Sequence, residues 1–162
     1  MEIRKFSPQD AKEVSEIVLR NLLEVNTKDY DPTLMATLAE YYTPKEIILA
    51  SKEKEVFVGV IEEKIVATAA LMENEWIHDF FVDPGRHFKG LGRIMIDYLE
   101  QLARCRGIKI LRVPSSVTAV GFYERLGYST IKEVVSEEGL TEILMEKNLL
   151  AQPAAGGDAP RR

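Results

Sequence analysis

Two glycines at the start of a predicted helix are well placed to hold an anion. Gly90 and Gly92 lie between an apolar strand-like run that ends at Val82 and an amphipathic helical run. Glycine lets the backbone approach a ligand closely, and the first N–H groups of a helix lack internal partners and carry partial positive charge. A diphosphate satisfies both features. The flanking cationic side chains are those of Arg86, His87, Lys89 and Arg93.

This loop does not match the common nucleotide-binding motifs. It contains no G-x-x-x-x-G-K-[ST], and the third glycine of G-x-G-x-x-G is missing. Two glycines beside a helix also occur in ordinary tight turns. The spacing alone therefore indicates an anion site and leaves a simple turn open as the alternative.

The strand before the loop carries a histidine that could move a proton. A period of two places Trp76, His78, Phe80 and Val82 on one face, and Ile77, Asp79 and Phe81 on the other. Histidine has an ordinary pKa near 6.5, which suits a proton acceptor at neutral pH. The alternative is a buried neutral histidine that is hydrogen-bonded within the sheet.

Other reactive side chains fit structural roles better. Cys105 lies beside Arg104 and Arg106, which could lower the pKa of its thiol, but no histidine is near it in sequence and a packed thiol is the preferred interpretation. His78 and His87 lack a third ligand, so no metal site is expected.

The composition narrows the class of protein. The chain has 162 residues, of which 46% are hydrophobic and 29% charged, as expected for one globular domain. The net charge of −5 argues against a nucleic-acid partner. No apolar run approaches the roughly 20 residues that cross a bilayer, and the first residues lack the apolar core of a signal peptide. With one cysteine, a reducing cytoplasm is the expected location.

The hydrophobic period predicts the order β-α-α-β-β-β-α-β-α-β-β, with an extra helical turn at 43–49. The predicted fold class is α/β (α+β), a mixed, mostly antiparallel central sheet flanked by helices. We expect one domain over 1–150. Residues 151–162, rich in Ala, Pro and Gly, are expected to form a mobile tail or an expression remnant outside the fold.

Two segments together resemble the acyl-CoA-dependent N-acyltransferases of the GNAT superfamily. Residues 82–93 resemble the acyl-CoA loop of that family, V-x-P followed by R/Q-x-x-G-x-G/A. Residues 116–128, SVTAVGFYERLGY, resemble its second signature, N-x-x-A-x-x-F-Y-x-x-x-G-F. The two motifs occur in the expected order, and the resemblance extends from Glu2 to about Asn148.

Two residues depart from the family pattern. His87 stands where the family usually has Arg or Gln, which a loop that grips phosphate through main-chain N–H groups should tolerate. Ser116 stands where the family often has Asn, so a contact to the pantetheine arm is expected to be lost or bridged by water.

The resemblance implies a set of residues that bind the donor. Main-chain groups of Phe80 and Val82 would pair with the pantetheine, and the N–H of Phe80 or Phe81 would face the thioester oxygen. Phe122, Tyr123 and Arg125 would border the thiol end and the adenosine side. The main-chain N–H groups implied for the diphosphate are those of His87, Phe88, Lys89, Gly90, Leu91, Gly92 and Arg93.

The resemblance also implies roles in catalysis. Tyr123 would donate a proton to the departing thiolate, because a phenol with a pKa of about 10 is protonated at neutral pH; a core tyrosine is the alternative. His78 would act as the general base, since family members often place one on this strand at even spacing from the valine, and Asp79 and Glu75 come next. The acidic residues of the first two helices would form a solvated face or recognise an amine: Glu16, Glu24, Asp29, Asp31 and Glu40.

The function implied is transfer of an acetyl group from acetyl-CoA to an amine by direct attack in a ternary complex. Acetyl-CoA is the expected co-substrate, with no metal, no nucleic acid and no membrane as partner. Homodimers are common in the family, which leaves a homodimer open. Two alternatives are a non-catalytic acyl-CoA-binding sensor or partner module, and a site for another phosphorylated cofactor.

Overall fold

The computed structural model describes residues 1–28, 30–73, 75–86, 89–135, 137 and 139–150. The strands are β1 (Glu2–Lys5), β2 (Glu55–Ile61), β3 (Lys64–Met72), β4 (Trp76–Val82), β5 (Ile110–Ser116), β6 (Ser129–Val135) and β7 (Thr141–Asn148). The helices are α1 (Ala11–Arg20), α2 (Pro32–Ala39), α3 (Pro44–Ala50), α4 (Leu91–Cys105) and α5 (Val120–Arg125). The predicted order of elements is confirmed. The proposed tail lies outside the described residues.

One mixed sheet holds all seven strands, in the order β1-β2-β3-β4-β5-β7-β6. Each neighbouring pair is antiparallel except β4 and β5, which run parallel. The predicted fold class is confirmed. A parallel pair requires a crossover connection, and α4 supplies it between β4 and β5.

The helices cover both faces of the sheet and define two apolar clusters. Residues of α1, α2 and α3 pack on one face against Val58 and Ile65, and we call this the α1–α3 face. Residues of α4 and α5 pack on the opposite face against Phe57, Ile77 and Leu111, and we call this the α4–α5 face. Among the described residues, no helix has the length and apolar character needed to cross a membrane.

Two predicted helix boundaries differ from the structure. The helical spacing of Val14, Ile17, Val18, Leu22 and Val25 predicts one helix that reaches Val25. In the structure the α-helix ends at Arg20 and continues as a π-helical turn over Asn21–Val25. The predicted helix over 116–126 is α-helical only from Val120, because Ser116 still belongs to β5 and a 3-10 turn follows it.

A buried carboxylate joins α4 to the last strand. Glu100 is 2% exposed, and the Lys147 ammonium donates to both of its oxygens at 2.8 Å. Arg104, one turn later on α4, donates to the same carboxylate at 3.2 Å. The Lys147 ammonium also lies 5.6 Å from the centroid of the Tyr128 ring. A buried charge needs such partners, because its desolvation is costly.

We expect Lys147→Met to lower the free energy of unfolding by about 3 kcal/mol, because it removes the main partner of a buried carboxylate. Lys5→Met is the matched control, since the Lys5 ammonium pairs with Glu55 while its side chain is 71% exposed. A surface pair of this kind contributes less than about 1 kcal/mol. Urea denaturation of both variants measures the difference, and equal losses would contradict the assignment.

Candidate active site

An opening in the sheet between β4 and β5 forms the centre of the site. The pairing recorded for the two strands is the single pair Trp76↔Arg112, near the start of both, where the Arg112 N–H donates to the Glu75 carbonyl at 2.8 Å. The Arg112 side chain strengthens this junction through an ion pair with Glu75 at 3.0 Å and by lying 5.7 Å from the Trp76 ring centroid. Beyond it, the pairs that β4 forms within the described part of the chain are with β3.

A β-bulge interrupts β4 at Asp79. The register with β3 shifts between Thr68, which pairs with Phe81, and Ala70, which pairs with His78. Asp79 has φ of 48°, in the left-handed region, which costs energy for a residue with a Cβ and is often found at functional sites. The bulge is therefore a specific feature of this strand.

The bulge overturns the predicted alternation along β4. Ile77 and Phe80 both pack on the α4–α5 face, whereas Phe81 packs on the α1–α3 face. His78, next to Ile77, points to the α1–α3 face with Asp79. The prediction that His78 shares a face with Phe80 and Val82 is wrong. The bulge adds one residue to β4, so the alternation of side chains between the two faces shifts by one residue after it.

The direction of the main-chain groups distinguishes Phe80 from Phe81. The Asp83 N–H donates to the Val66 carbonyl on β3 at 2.9 Å, and successive N–H groups of an extended strand point to opposite sides. The N–H of Phe81 therefore also points to β3, while those of Phe80 and Val82 point to the opening. This geometry favours Phe80 over Phe81 as the donor to a thioester oxygen.

The start of α4 closes one end of the opening. Gly90 precedes the helix with φ of 75°, and a Cβ there would meet nothing within 4 Å, so its surroundings leave room for a ligand. The N–H groups of Leu91, Gly92 and Arg93 form the first turn, which has no intrahelical acceptors. Lys89 is exposed and the Arg93 side chain is 64% exposed. His87 and Phe88 lie outside the described residues.

Aromatic rings connect the helix start to β4. Phe80 and Phe122 stack with centroids 5.8 Å apart, and the Tyr123 ring meets each of them edge to face at 6.2 and 5.1 Å. Gly92 fits against this stack, since a Cβ there would lie 3.1 Å from Phe122 Cζ and 3.3 Å from Phe80 Cζ. Three of the predicted donor-binding residues are therefore in mutual contact.

Tyr123 lies in an environment that keeps its hydroxyl protonated. Its side chain is buried in α5, and desolvation raises the pKa of the phenol above its ordinary value of 10. A phenol in this state can donate its proton but does not exist as a phenolate at neutral pH. The hydroxyl is therefore protonated at neutral pH, while the raised pKa makes it a weaker acid than an exposed tyrosine.

The remaining predicted residues lie at the edges of the opening. Ser116 is half-buried at the end of β5, opposite Glu142 of β7. Arg125 is exposed at the end of α5. Burial lowers the pKa of His78 below its ordinary value, while the Asp79 carboxylate acts in the opposite direction. His78 is therefore neutral at pH 7 and can accept a proton.

A buried asparagine escaped the sequence analysis. The Asn21 side-chain amide donates at 2.9 Å to the carbonyls of Ile17 and of Val82, and so fastens α1 to the end of β4. An ion pair between Arg20 and Asp83 at 3.0 Å reinforces this contact. Asn21 interrupts the apolar stripe of the first helix, and a buried polar residue on such a stripe was the signal that could have identified it.

Tyr30 was also missed, and it lies on the other side of the opening. Its hydroxyl donates to the Thr141 carbonyl at 2.8 Å and accepts from the Val117 N–H at 3.3 Å. The segment between α1 and α2 is thus joined to the end of β5 and the start of β7. Nothing in the sequence around Tyr30 indicates these contacts.

Other reactive groups are remote or structural. Cys105 is the last residue of α4 and is exposed, about 21 Å along the helix from Leu91 at 1.5 Å per residue. Asp31 caps α2 by accepting from the N–H groups of Thr33 and Leu34. Within the described part of the chain, no group of three or more His, Cys, Asp or Glu residues is arranged to hold a metal.

We expect Gly92→Ala and Gly90→Ala to act differently. The first displaces the Phe80 and Phe122 rings by a few tenths of an ångström, so it should weaken coenzyme A binding and change the near-ultraviolet circular dichroism. The second places alanine in a left-handed conformation at a cost of about 1 kcal/mol and leaves the rings in place. Near-ultraviolet spectra and ligand-induced shifts in Tm measure both effects. An unchanged spectrum for Gly92→Ala would contradict the contact.

Comparison with known proteins indicates the family of this chain. The family model of the acetyltransferase (GNAT) domain matches residues 26–149. YyaT of Bacillus subtilis is 30% identical over 92 residues, 57% of this chain and 59% of that protein. The 5-NmdU N-acetyltransferase of Pseudomonas phage PaMx11 is 26% identical over 141 residues, 85% of this chain and 94% of that protein. The chain spans 40% and 59% of the lengths of the first two curated relatives that it matches.

Solved structures share the fold. A GCN5-related N-acetyltransferase from Rhodopseudomonas palustris superposes with a TM-score of 0.83 at 23% identity, covering 91% of this chain and 94% of that one. The PaiA N-acetyltransferase of Thermoplasma acidophilum, crystallised with coenzyme A, superposes with a TM-score of 0.76 at 17% identity, covering 91% and 98%. Because the family model covers most of the chain and the sheet opens where the two motifs meet, this protein belongs to the GNAT acetyltransferase family.

Proposed function

We propose that the protein is an acetyl-CoA-dependent N-acetyltransferase in which an amine attacks the thioester directly within a ternary complex. The observation that carries the proposal is the opening beside β4, where the N–H of Phe80 points away from β3 and the Phe80 ring reaches the start of α4 at Gly92. An extended ligand with amide groups can pair there as an added strand, and its diphosphate can reach the first turn of α4.

The donor would be held mainly by backbone groups. The diphosphate would accept hydrogen bonds from the N–H groups of Lys89–Arg93, a mode of binding that suits any diphosphate. His87 and Phe88, which lie outside the described residues, are proposed to complete the loop. Phe122 and Arg125 would border the ligand on the α5 side, and Ser116 on the β5 side.

The transfer step needs three groups from this chain. The amine nitrogen forms a bond to the carbonyl carbon, and the Phe80 N–H stabilises the negative oxygen that develops. The C–S bond then breaks, and Tyr123 gives its proton to the departing thiolate. His78 takes the proton that the amine loses, directly or through water. Cys105 lies too far along α4 to carry the acyl group, which favours direct transfer.

We expect Tyr123→Phe to lower kcat by about 100-fold, the lower end of the contribution of general acid–base catalysis. Coenzyme A binding should persist, because the ring and its contacts remain. A thiol-release assay with acetyl-CoA and a panel of amines measures the rate, and thermal stabilisation by coenzyme A measures binding. An unchanged kcat would remove Tyr123 from the mechanism.

The same assay tests the function as a whole. If the unaltered protein binds coenzyme A but releases no thiol with any amine, it is a non-catalytic acyl-CoA-binding module. Stabilisation by another nucleotide and not by coenzyme A would indicate a different phosphorylated ligand.

We expect the rate to depend on pH through His78. Because burial holds the pKa of His78 below its ordinary value of 6.5, the imidazole is neutral at pH 7 and the rate should fall only as the pH drops below 6.5. In His78→Gln this acidic limb should disappear, and kcat at pH 7 should fall by about tenfold or more. Profiles of kcat/KM from about pH 5 to 9 make the comparison. An identical acidic limb in the variant would contradict this role.

A further inference from the structure

A cavity of about 580 Å³ lies beneath α3 on the α1–α3 face of the sheet. Its volume falls within the range of about 300–1,000 Å³ that is typical of small-ligand sites. Val14 and Val18 of α1 and Ile47 of α3 supply apolar walls, and Tyr41 and Tyr42 supply aromatic ones. The cavity can therefore accept an organic molecule with an apolar body.

The bulge residue Asp79 gives this cavity one anchoring charge. The Tyr42 hydroxyl donates to Asp79 Oδ1 at 2.9 Å, and the Lys54 ammonium forms an ion pair with Oδ2. The side chains of Asp79 and Lys54 are each 20% exposed. The carboxylate is thus oriented by a phenol and is already occupied by an ammonium group on a flexible alkyl chain.

This occupied position lies next to the proposed reaction centre. Asp79 directly precedes Phe80, whose N–H points into the opening between β4 and β5. Because the bulge turns the Asp79 side chain to the α1–α3 face, an ammonium held there approaches the strand from the side opposite to α4 and α5. His78, which precedes Asp79 on β4, points to the same face without lining the cavity, so a proton would pass to it through water.

We infer that this cavity is the acceptor site, and that the acceptor is a small primary amine with an apolar body whose ammonium replaces Lys54 at Asp79. The inference rests on the proposed function. The lining carboxylates of Asp79, Glu46 and Glu53 outnumber the lining ammonium groups of Lys52 and Lys54, so the cavity favours a cation.

Displacement of Lys54 lets the amine of the acceptor bind at Asp79 and then react. The incoming ammonium forms the charge-assisted hydrogen bond that Lys54 gives up, and it loses its proton to His78. The neutral nitrogen then bonds to the thioester carbon while the C–S bond breaks, and Tyr123 protonates the thiolate. Lys54 acts as a specificity-determining residue, because only a cation competes with it for Asp79.

The test uses thiol release from acetyl-CoA with two acceptors, 2-phenylethylamine and ethanolamine. The unaltered protein should have the lower KM for 2-phenylethylamine, since its ring fills the apolar part of the cavity. Asp79→Asn should raise that KM by about tenfold or more, because a charge-assisted hydrogen bond is lost. Lys54→Met should lower it by about fivefold or more, because a competing ammonium is removed. Lys45→Met, an exposed position on α3 outside the cavity lining, is the matched control and should leave KM unchanged.

Binding of 2-phenylethylamine to Lys54→Met by calorimetry provides a readout that does not require turnover. Unchanged KM values in both Asp79→Asn and Lys54→Met, with turnover intact, would overturn the acceptor site while leaving the proposed function in place. Absence of thiol release from the unaltered protein with either amine, together with no calorimetric binding to Lys54→Met, would overturn the acceptor site as well. Tighter calorimetric binding to Lys54→Met than to the unaltered protein would support it even if the chemistry were different.

Discussion

The structure depends on one constraint: β4 has a strand on both sides only at its beginning. Trp76 pairs with Arg112, and from there the edge that faces β5 carries main-chain groups directed into an opening. Backbone N–H groups are strong donors, and the N–H of Phe80 on this edge is the group that we propose pairs with an extended ligand. The crossover through α4 places a helix start at the far end of the same opening. The proposed site therefore consists mainly of main-chain groups of β4 and of the first turn of α4, and side chains surround them.

The bulge at Asp79 determines which side chains of β4 reach each face of the sheet. After it, Phe80 joins the aromatic stack of Phe122 and Tyr123 on the α4–α5 face. At the bulge itself, the Asp79 carboxylate points to the α1–α3 face, where it accepts a hydrogen bond from Tyr42 and pairs with Lys54. A regular strand would bring neither pair of contacts to adjacent residues. Under the proposed function, this strained backbone would let the amine reach the donor's thioester carbon from the α1–α3 face of the sheet.

Much of the fold could be predicted from sequence, because period and caps are local signals. The order of elements followed from apolar spacing, and Gly90 and Gly92 marked the helix start correctly. The face of His78 could not be predicted, since nothing in WIHDFFV marks Asp79 as the residue with positive φ. Lys54 meets Asp79 across 25 positions of sequence, and Asn21 reaches Val82 across 61. Such contacts are set by tertiary packing, which a single sequence does not display.

The position of Gly92 has a wider consequence. Its Cα lies against both Phe122 and Phe80, so the turn that would grip the ligand's phosphates touches the same rings that flank its reactive end. In the proposed complex, the diphosphate and the thioester carbon would therefore be positioned by residues that contact one another. Binding of the diphosphate would then also align the thioester carbon. A thioester without a diphosphate would have nothing to set its position along β4.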